Sequence, residues 1–191
     1  VKNALVIGAE TLSKILDWND RGTCVLFGDG AGAAYLEESD KGIISVVQGS
    51  IGKKGMVLNC ESRRTHNIFT EDGIEHDYLH MDGQEVYKFA VRQCPKCLLE
   101  ALEKADMTAD DIDYFVLHQA NVRIIESVAK RLKAPIEKFP MTLGYTGNMS
   151  AASVPVMLDS LVRDGGLKRG DKVAMSAFGA GLTYGAIVLE W

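Results

Sequence analysis

No stretch of the 191 residues is apolar for long enough to cross a bilayer, so no helical membrane span is expected. An excess of basic charge is missing too. Lysine and arginine number 21 against 26 acidic residues, a net charge of −5, which argues against general nucleic-acid binding. The four cysteines (24, 60, 94 and 97) lack the spacing of a disulfide scaffold, and a reducing cytoplasm is the simplest home. The chain opens with no charged leader and cleavage site, so nothing points to secretion. It starts almost directly on a strand pattern, which gives the expectation that these residues are the later part of a longer protein.

What is present is ordinary globular chemistry. Hydrophobic residues make up 47%, enough for a real core in one large domain or two small ones. Ala4 to Gly8 reads as a buried strand, Asp17 to Gly22 as a turn-rich loop, and Thr23 to Phe27 as a second strand. Ala33 to Glu37 and Gly42 to Gln48 follow as strands. Residues 49 to 80 have weak periodicity, and a long irregular excursion is usually functional or mobile. Its His66, His76 and His80 fit no zinc spacing, so no metal is expected. Gly83 opens a long helix with one apolar face, which Pro95 should kink. Cys94-Pro-Lys-Cys97 has the C-x-x-C form, yet both thiols fall on that face and read as core packing.

Gly28-Asp-Gly-Ala-Gly32 lacks the lysine of a phosphate loop, and a strand pattern rather than a helix follows it. It reads as a glycine-rich hairpin whose backbone packs close to something. Thr108 to Asp111 is a capped turn. Tyr114 to Leu117 is apolar at every position, a strand buried on both faces, and it stops at His118. A helix with Val122, Ile125, Val128 and Leu132 inward begins near Asn121. Its outer face sets Arg123, Lys130, Arg131 and Lys133 against Glu126 alone. Such faces are ordinarily just solvated. On an acidic chain, a one-signed excess also fits an acidic partner. Met141 to Gly147 reads as a loop with a short strand. A helix follows Asn148 to Ser153, and Lys172 to Ala177 and Leu182 to Leu189 are the closing strands. The layout is α/β with a mixed sheet.

His118 and Asn148 each stand where a strand or loop gives way to a helix, in successive units. An imidazole and a carboxamide side by side can hold one carbonyl oxygen as an enolate forms. The following helix adds its positive dipole end, and the turn Phe178-Gly179-Ala180-Gly181 offers backbone amides.

Several long motifs then carry a resemblance. His118-Gln-Ala-Asn-Val-Arg-Ile124, Gly147-Asn-Met-Ser-Ala-Ala-Ser153, Ala177-Phe-Gly-Ala-Gly-Leu-Thr183 and the run from Asp20 to Ala33 resemble β-ketoacyl-acyl-carrier-protein synthase III. The likeness runs in order from Val1 to Trp191. It implies a thiolase-like α-β-α-β-α layered fold, with residues 1–82 ending the first half and 83–191 forming the second. It implies a cysteine, histidine and asparagine catalytic set, with His118 and Asn148 as two members. The cysteine is expected upstream, outside this chain. The implied reaction is decarboxylative condensation of acyl-coenzyme A with malonyl-acyl carrier protein, starting fatty-acid synthesis. No metal or redox cofactor is implied, and coenzyme A enters only as the substrate's thioester.

The resemblance places coenzyme A near Arg21, Gly22, Gly83, Tyr87, Asn121 and Phe178. It places carrier-protein docking on Gln119, Ala120, Asn121, Val122 and Arg123, and it implies a cytoplasmic homodimer. Ala180 stands where the family often has glycine, and a positive φ there would be strained by about 1 kcal/mol or more. Met149 replaces the commoner threonine. The alternatives are a fragment that binds coenzyme A or carrier protein without reacting, and a polyketide-type or hydroxymethylglutaryl-type synthase of the same fold.

Overall fold

The computed structural model describes residues 2–60 and 78–191. His66 and His76 lie outside them, as does the middle of the irregular segment. The first elements are β1 (Asn3–Glu10), β2 (Gly30–Glu37) and β3 (Ile43–Ser50). The two-residue strands β4 (Leu58–Asn59) and β5 (His80–Met81) come next, then α1 (Gly83–Lys104). The remainder is β6 (Tyr114–Leu117), α2 (Val122–Leu132), α3 (Leu143–Thr146), α4 (Ser153–Arg163), β7 (Lys172–Gly179) and β8 (Thr183–Glu190). No helix of the described residues is long and apolar enough to cross a membrane.

The larger sheet runs β3-β8-β7-β6. β6 and β7 are parallel; β7 and β3 each lie antiparallel to β8. β6 alternates between two cores, as its unbroken apolar run requires. Phe115 and Leu117 join one cluster with α1 and α2 residues such as Leu98, Ile125 and Val128. Val116 joins the other, with Met157, Leu158 and Leu161 of α4. Burying side chains of this size contributes roughly 1.5–3 kcal/mol each, so helices on both faces hold this sheet. Cys94 and Cys97 are buried in the first cluster, in keeping with the core reading. Helix α1 continues through Pro95. Because β3 pairs with β8, residues on both sides of the 82/83 boundary share one sheet.

Two sheet assignments differ from the sequence reading. Thr23 to Phe27 is not a strand: residues 21–26 are turns, and Phe27 makes only an isolated parallel bridge to Asn148. The cause is Asp20. Its carboxylate accepts from the Gly22 amide at 2.8 Å and the Thr23 hydroxyl at 2.7 Å, so the chain winds into an Asx-type turn. Met141 to Gly147 holds the one-turn helix α3 instead of a strand, after Thr142 donates its amide to the Gln119 side chain at 3.0 Å.

β1 and β2 form a separate antiparallel ribbon. It was expected to be buried from Ala4 to Gly8, and of that run only Gly8 is. Leu5, Val6 and Ile7 are 60%, 54% and 61% exposed, because among the described residues no layer covers either side of this run. Only the glycine edge is packed. A β-carbon on Gly8 would come within 2.3 Å of the Ala151 carbonyl oxygen, and one on Gly28 within 2.2 Å of the Thr146 carbonyl oxygen. The close approach expected of the glycine-rich loop is present, and it ties the ribbon to the start of α4.

Candidate functional site

The site lies where β6 gives out. The His118 amide still donates to Ser176 O at 2.8 Å, extending the pairing by one residue and fixing the imidazole at the strand end. The next residue turns inward. Gln119 is fully buried, its amide donates to Leu117 O at 2.9 Å, and its oxygen accepts from Thr142 N. This satisfied buried amide anchors the 140–142 segment to the strand end. It also corrects one expectation, since a fully buried Gln119 offers no surface to a docking partner. Asn121 is exposed and caps α2 by accepting from Arg123 N at 2.9 Å. Val122 and Arg123 are exposed beside it, and Ala120 is partly buried.

Asn148 is held by backbone. Its N–H donates to Leu26 O and its carbonyl accepts from Gly28 N, both at 2.9 Å. The glycine-rich loop thus positions the carboxamide, a role the sequence reading missed. The Asn148 side-chain oxygen accepts from the Ser150 amide at 2.9 Å, which leaves its N–H edge for other partners.

His118 and Asn148 line one cavity of about 280 Å³. Its walls also include Gly83, Tyr87, Asn121, Phe178, Gly179 and Ala180, with Met81, Val86 and Ile124 supplying apolar surface. Phe178 meets the His118 ring edge-on at 5.2 Å and 78°. Burial pushes the imidazole down to about 4, so the ring is neutral near pH 7. A neutral imidazole, a carboxamide and an apolar surround suit polarising a carbonyl without a fixed charge.

Other assignments divide. Arg21 and Gly22 lie on the exposed turn and are not among the residues lining the cavity. The strain expected at Ala180 does not arise, because the positive φ of that hairpin falls on Gly181, at 130°. Of the four cysteines, Cys60 borders the cavity and is exposed. The Cys94 thiol is pushed by burial up to about 12 and Cys97 is raised for the same reason, so neither is a ready thiolate. The described residues hold no cluster of three or more side chains able to bind a metal. Sequence reasoning missed Ser153, whose hydroxyl lies 2.7 Å from His118 Nδ1. Its only sequence signal is its place in the first turn of a helix.

Comparison with known proteins shows what the chain as a whole is similar to. Residues 102–191 match the model for the C-terminal part of 3-oxoacyl-[acyl-carrier-protein] synthase III, and residues 1–55 match a second model of the same synthase. The chain is 50% identical over 192 residues to the β-ketoacyl-[acyl-carrier-protein] synthase III of Clostridium novyi, covering all of this chain and 59% of that protein. It superposes on the crystal structure of the Aquifex aeolicus 3-oxoacyl-[acyl-carrier-protein] synthase III with a TM-score of 0.90 at 40% identity, covering 58% of that chain. The priming β-ketosynthase of the R1128 polyketide pathway gives 0.90 at 39% identity, over 57% of its length. The chain therefore spans somewhat under two thirds of these relatives. Their thiolase-like α/β fold, with mixed sheets and helical layers, is the fold class read from the sequence.

Proposed function

Because the chain belongs to the 3-oxoacyl-[acyl-carrier-protein] synthase III family, we propose that it carries the carbonyl-holding part of a decarboxylative condensing enzyme. The reaction joins an acyl group from acyl-coenzyme A to malonyl-acyl carrier protein and begins fatty-acid synthesis. One observation carries the reading: His118 from the end of β6 and Asn148 from the glycine-braced crossover line the same apolar cavity.

The malonyl thioester carbonyl sits between these two side chains. As carbon dioxide leaves, the electron pair of the broken carbon–carbon bond passes into the thioester as an enolate, and the pair stabilises the charge on its oxygen. The enolate carbon then attacks an acyl-cysteine, whose thiolate departs. That cysteine belongs to a part of the family's length this chain does not span. Phe178 packs over the imidazole and keeps water from it. The pantetheine arm enters past Gly83 and Tyr87. The carrier protein docks at Asn121, Val122 and Arg123, where the exposed cations of α2 meet its acidic surface; Arg123 also borders a groove beside the cavity.

The test is release of carbon dioxide from malonyl-carrier protein by a polypeptide of the family's full length. His118→Ala should lower it by about 10²–10³-fold or more, the usual effect of losing one oxyanion donor. Release near the wild-type rate removes His118 from the mechanism. Arg123→Glu should raise KM for the carrier substrate, and an unchanged KM ends the docking role. Intact mass after incubating this chain with acetyl-coenzyme A should show no acyl group on any cysteine; acylated Cys60 would place the nucleophile here instead. The likeness to a polyketide priming enzyme favours a second reading, in which the same site serves a polyketide starter. Comparing products from malonyl-coenzyme A and malonyl-carrier protein separates the two.

A further inference from the structure

Phe178 stands one residue from the end of β7, where the chain is about to turn back into β8. Tyr184 is its direct cross-strand partner, so the two rings project from one face of the sheet. Helix α1 packs across β7 and β8 and sets Phe89 against both rings. The Phe89 ring centroid lies 6.4 Å from that of Phe178 and 6.1 Å from that of Tyr184, with the planes at 67° and 66°. Both contacts are edge-to-face, the arrangement that aromatic quadrupoles favour. With the Phe178–His118 contact the rings form an unbroken row: Tyr184, Phe89, Phe178, His118.

The far end of the row is wedged. A β-carbon on Gly49 would come within 2.6 Å of the Tyr184 hydroxyl oxygen and 2.7 Å of its Cζ, so the tyrosine rests against the backbone of β3. Phe89 itself is 4% exposed. It is not among the residues that line the cavity, although Val86 and Tyr87 just before it are. Phe89 therefore reaches His118 only through Phe178. A ring at the end of a strand leaves its neighbour by changing rotamer, and a close-packed ring behind it removes the room to do so.

We propose that Phe89 is a positioning residue for His118: wedged between Tyr184 and Phe178, it presses the Phe178 ring onto the imidazole, which fixes the imidazole plane and keeps water from it. An aliphatic side chain in its place fills part of the space without the edge-to-face preference, and Phe178 then samples other rotamers. A group that must meet a developing oxyanion is sensitive to such freedom, since a small misplacement there is costly. The use of this support in condensation rests on the function proposed above; the support of one ring by the next does not.

Ring placement is read from the carbon-bound ring protons of His118 at neutral pH, on the chain labelled with ¹³C-histidine. The signals are assigned by their disappearance in His118→Gln. Phe178→Leu removes the neighbouring ring and defines the full change in those signals that Phe178 causes. Phe89→Leu should reproduce most of that change. Leu98→Val, which trims α1 elsewhere in its buried face, should reproduce little of it. Unmoved His118 signals in Phe89→Leu overturn the proposal, as does an equal movement in Leu98→Val. If Phe89→Leu fails to fold, the wild type decides: Overhauser contacts from Phe89 to Phe178 and from Phe178 to His118 are expected, and the absence of either overturns it. In a polypeptide of the family's full length, Phe89→Leu should lower kcat for carbon dioxide release by about tenfold or more and leave KM within about twofold, because Phe89 meets no substrate. An unchanged kcat there, when His118→Ala abolishes release, overturns the positioning role. Moved His118 signals alongside release that survives His118→Ala would sink the condensation reading and leave this inference standing.

Discussion

β1 and β6 look alike as sequence and differ completely as structure. Ala4-Leu-Val-Ile and Tyr114-Phe-Val-Leu are both short apolar runs that end where a special residue begins. In β6, Phe115 and Val116 are fully buried and Leu117 nearly so. In β1, the three large side chains stay more than half exposed. The runs do not differ in propensity. They differ in what lies on either side: β6 has α1 and α2 on one face and α4 on the other, whereas β1 has β2 as its strand partner and a glycine edge against the turn at residues 150–152. Apolar alternation specifies a strand; burial belongs to the layers that reach it.

The sharpest way to break the comparison is to truncate one side chain in each. Phe115 stacks on Phe139 at 4.7 Å with the rings 8° from parallel. Phe115→Ala should lower unfolding stability by about 3–5 kcal/mol, the usual range for a buried aromatic. Ile7→Ala should cost less than about 1 kcal/mol, since little of its surface leaves water on folding. Urea denaturation of the two variants measures both. Equal losses would mean that β1 is covered in solution.

A smaller effect separates the regions by pH. His118 is held to a pKa of about 4, below the 6.5 of a free imidazole. Its neutral form is the one folding favours, so its contribution is complete above the unfolded value and is lost as pH falls from 6.5 toward 4. The span amounts to about 3 kcal/mol. The carboxylates with lowered values, Asp20 and Asp29 beside the ribbon among them, begin to matter only below the ordinary carboxylate range. Between pH 6.5 and 4.5, wild type should therefore lose stability and His118→Gln should not. A matching slope in both proteins would remove His118 as the source.

Much of this contrast was legible and part was not. The reading of Tyr114 to Leu117 as a doubly buried strand, of α1 and α2 as amphipathic helices, and of Gly28 to Gly32 as a close-packed glycine run needed only local pattern. His118 and Asn148 could be paired because each ends a unit that feeds a helix, and ligand sites gather at such ends. What failed depended on side-chain hydrogen bonds, one set of them local and two made far along the sequence. Asp20 pulled Thr23 to Phe27 into turns, the Gln119 carboxamide turned inward to meet Thr142, and Ser153 reached His118 across 35 positions. One-residue periodicity carries no trace of a hydrogen bond made across the fold.

The joint between the regions is the next place to probe. A β-carbon on Gly8 would stand 2.3 Å from a backbone oxygen at Ala151, which no rotamer change relieves. Gly8→Ala should cost about 1–3 kcal/mol, as overpacking does. It should also loosen Asn148, because the backbone around Ala151 continues into the Ser150 unit that orients the carboxamide. Gly42→Ala is the control for adding a methyl group to open space, although its φ of +134° adds backbone strain of its own. The distinguishing readout is therefore the Asn148 side-chain amide resonance, which should move in Gly8→Ala and stay in Gly42→Ala. If both leave it in place, the ribbon does not brace the site.

The least disruptive comparison uses the cysteines as they are. Cys94 and Cys97 sit in the α1 core with thiols raised by burial, and Cys24 lies partly buried in the turn beside the ribbon. Alkylation needs both thiolate and access, so the α1 pair should react only through openings that approach global unfolding. Cys24 should react through a local opening of the turn. Adding a low concentration of urea should then accelerate Cys94 and Cys97 steeply and Cys24 weakly, because the slope with denaturant scales with the surface exposed in the opening. Peptide mapping of alkylated protein gives the three rates. Parallel slopes would mean that the ribbon and the layered sheet open as one cooperative unit despite their unequal burial, and the division between a covered and an uncovered strand would then have no counterpart in how the molecule unfolds.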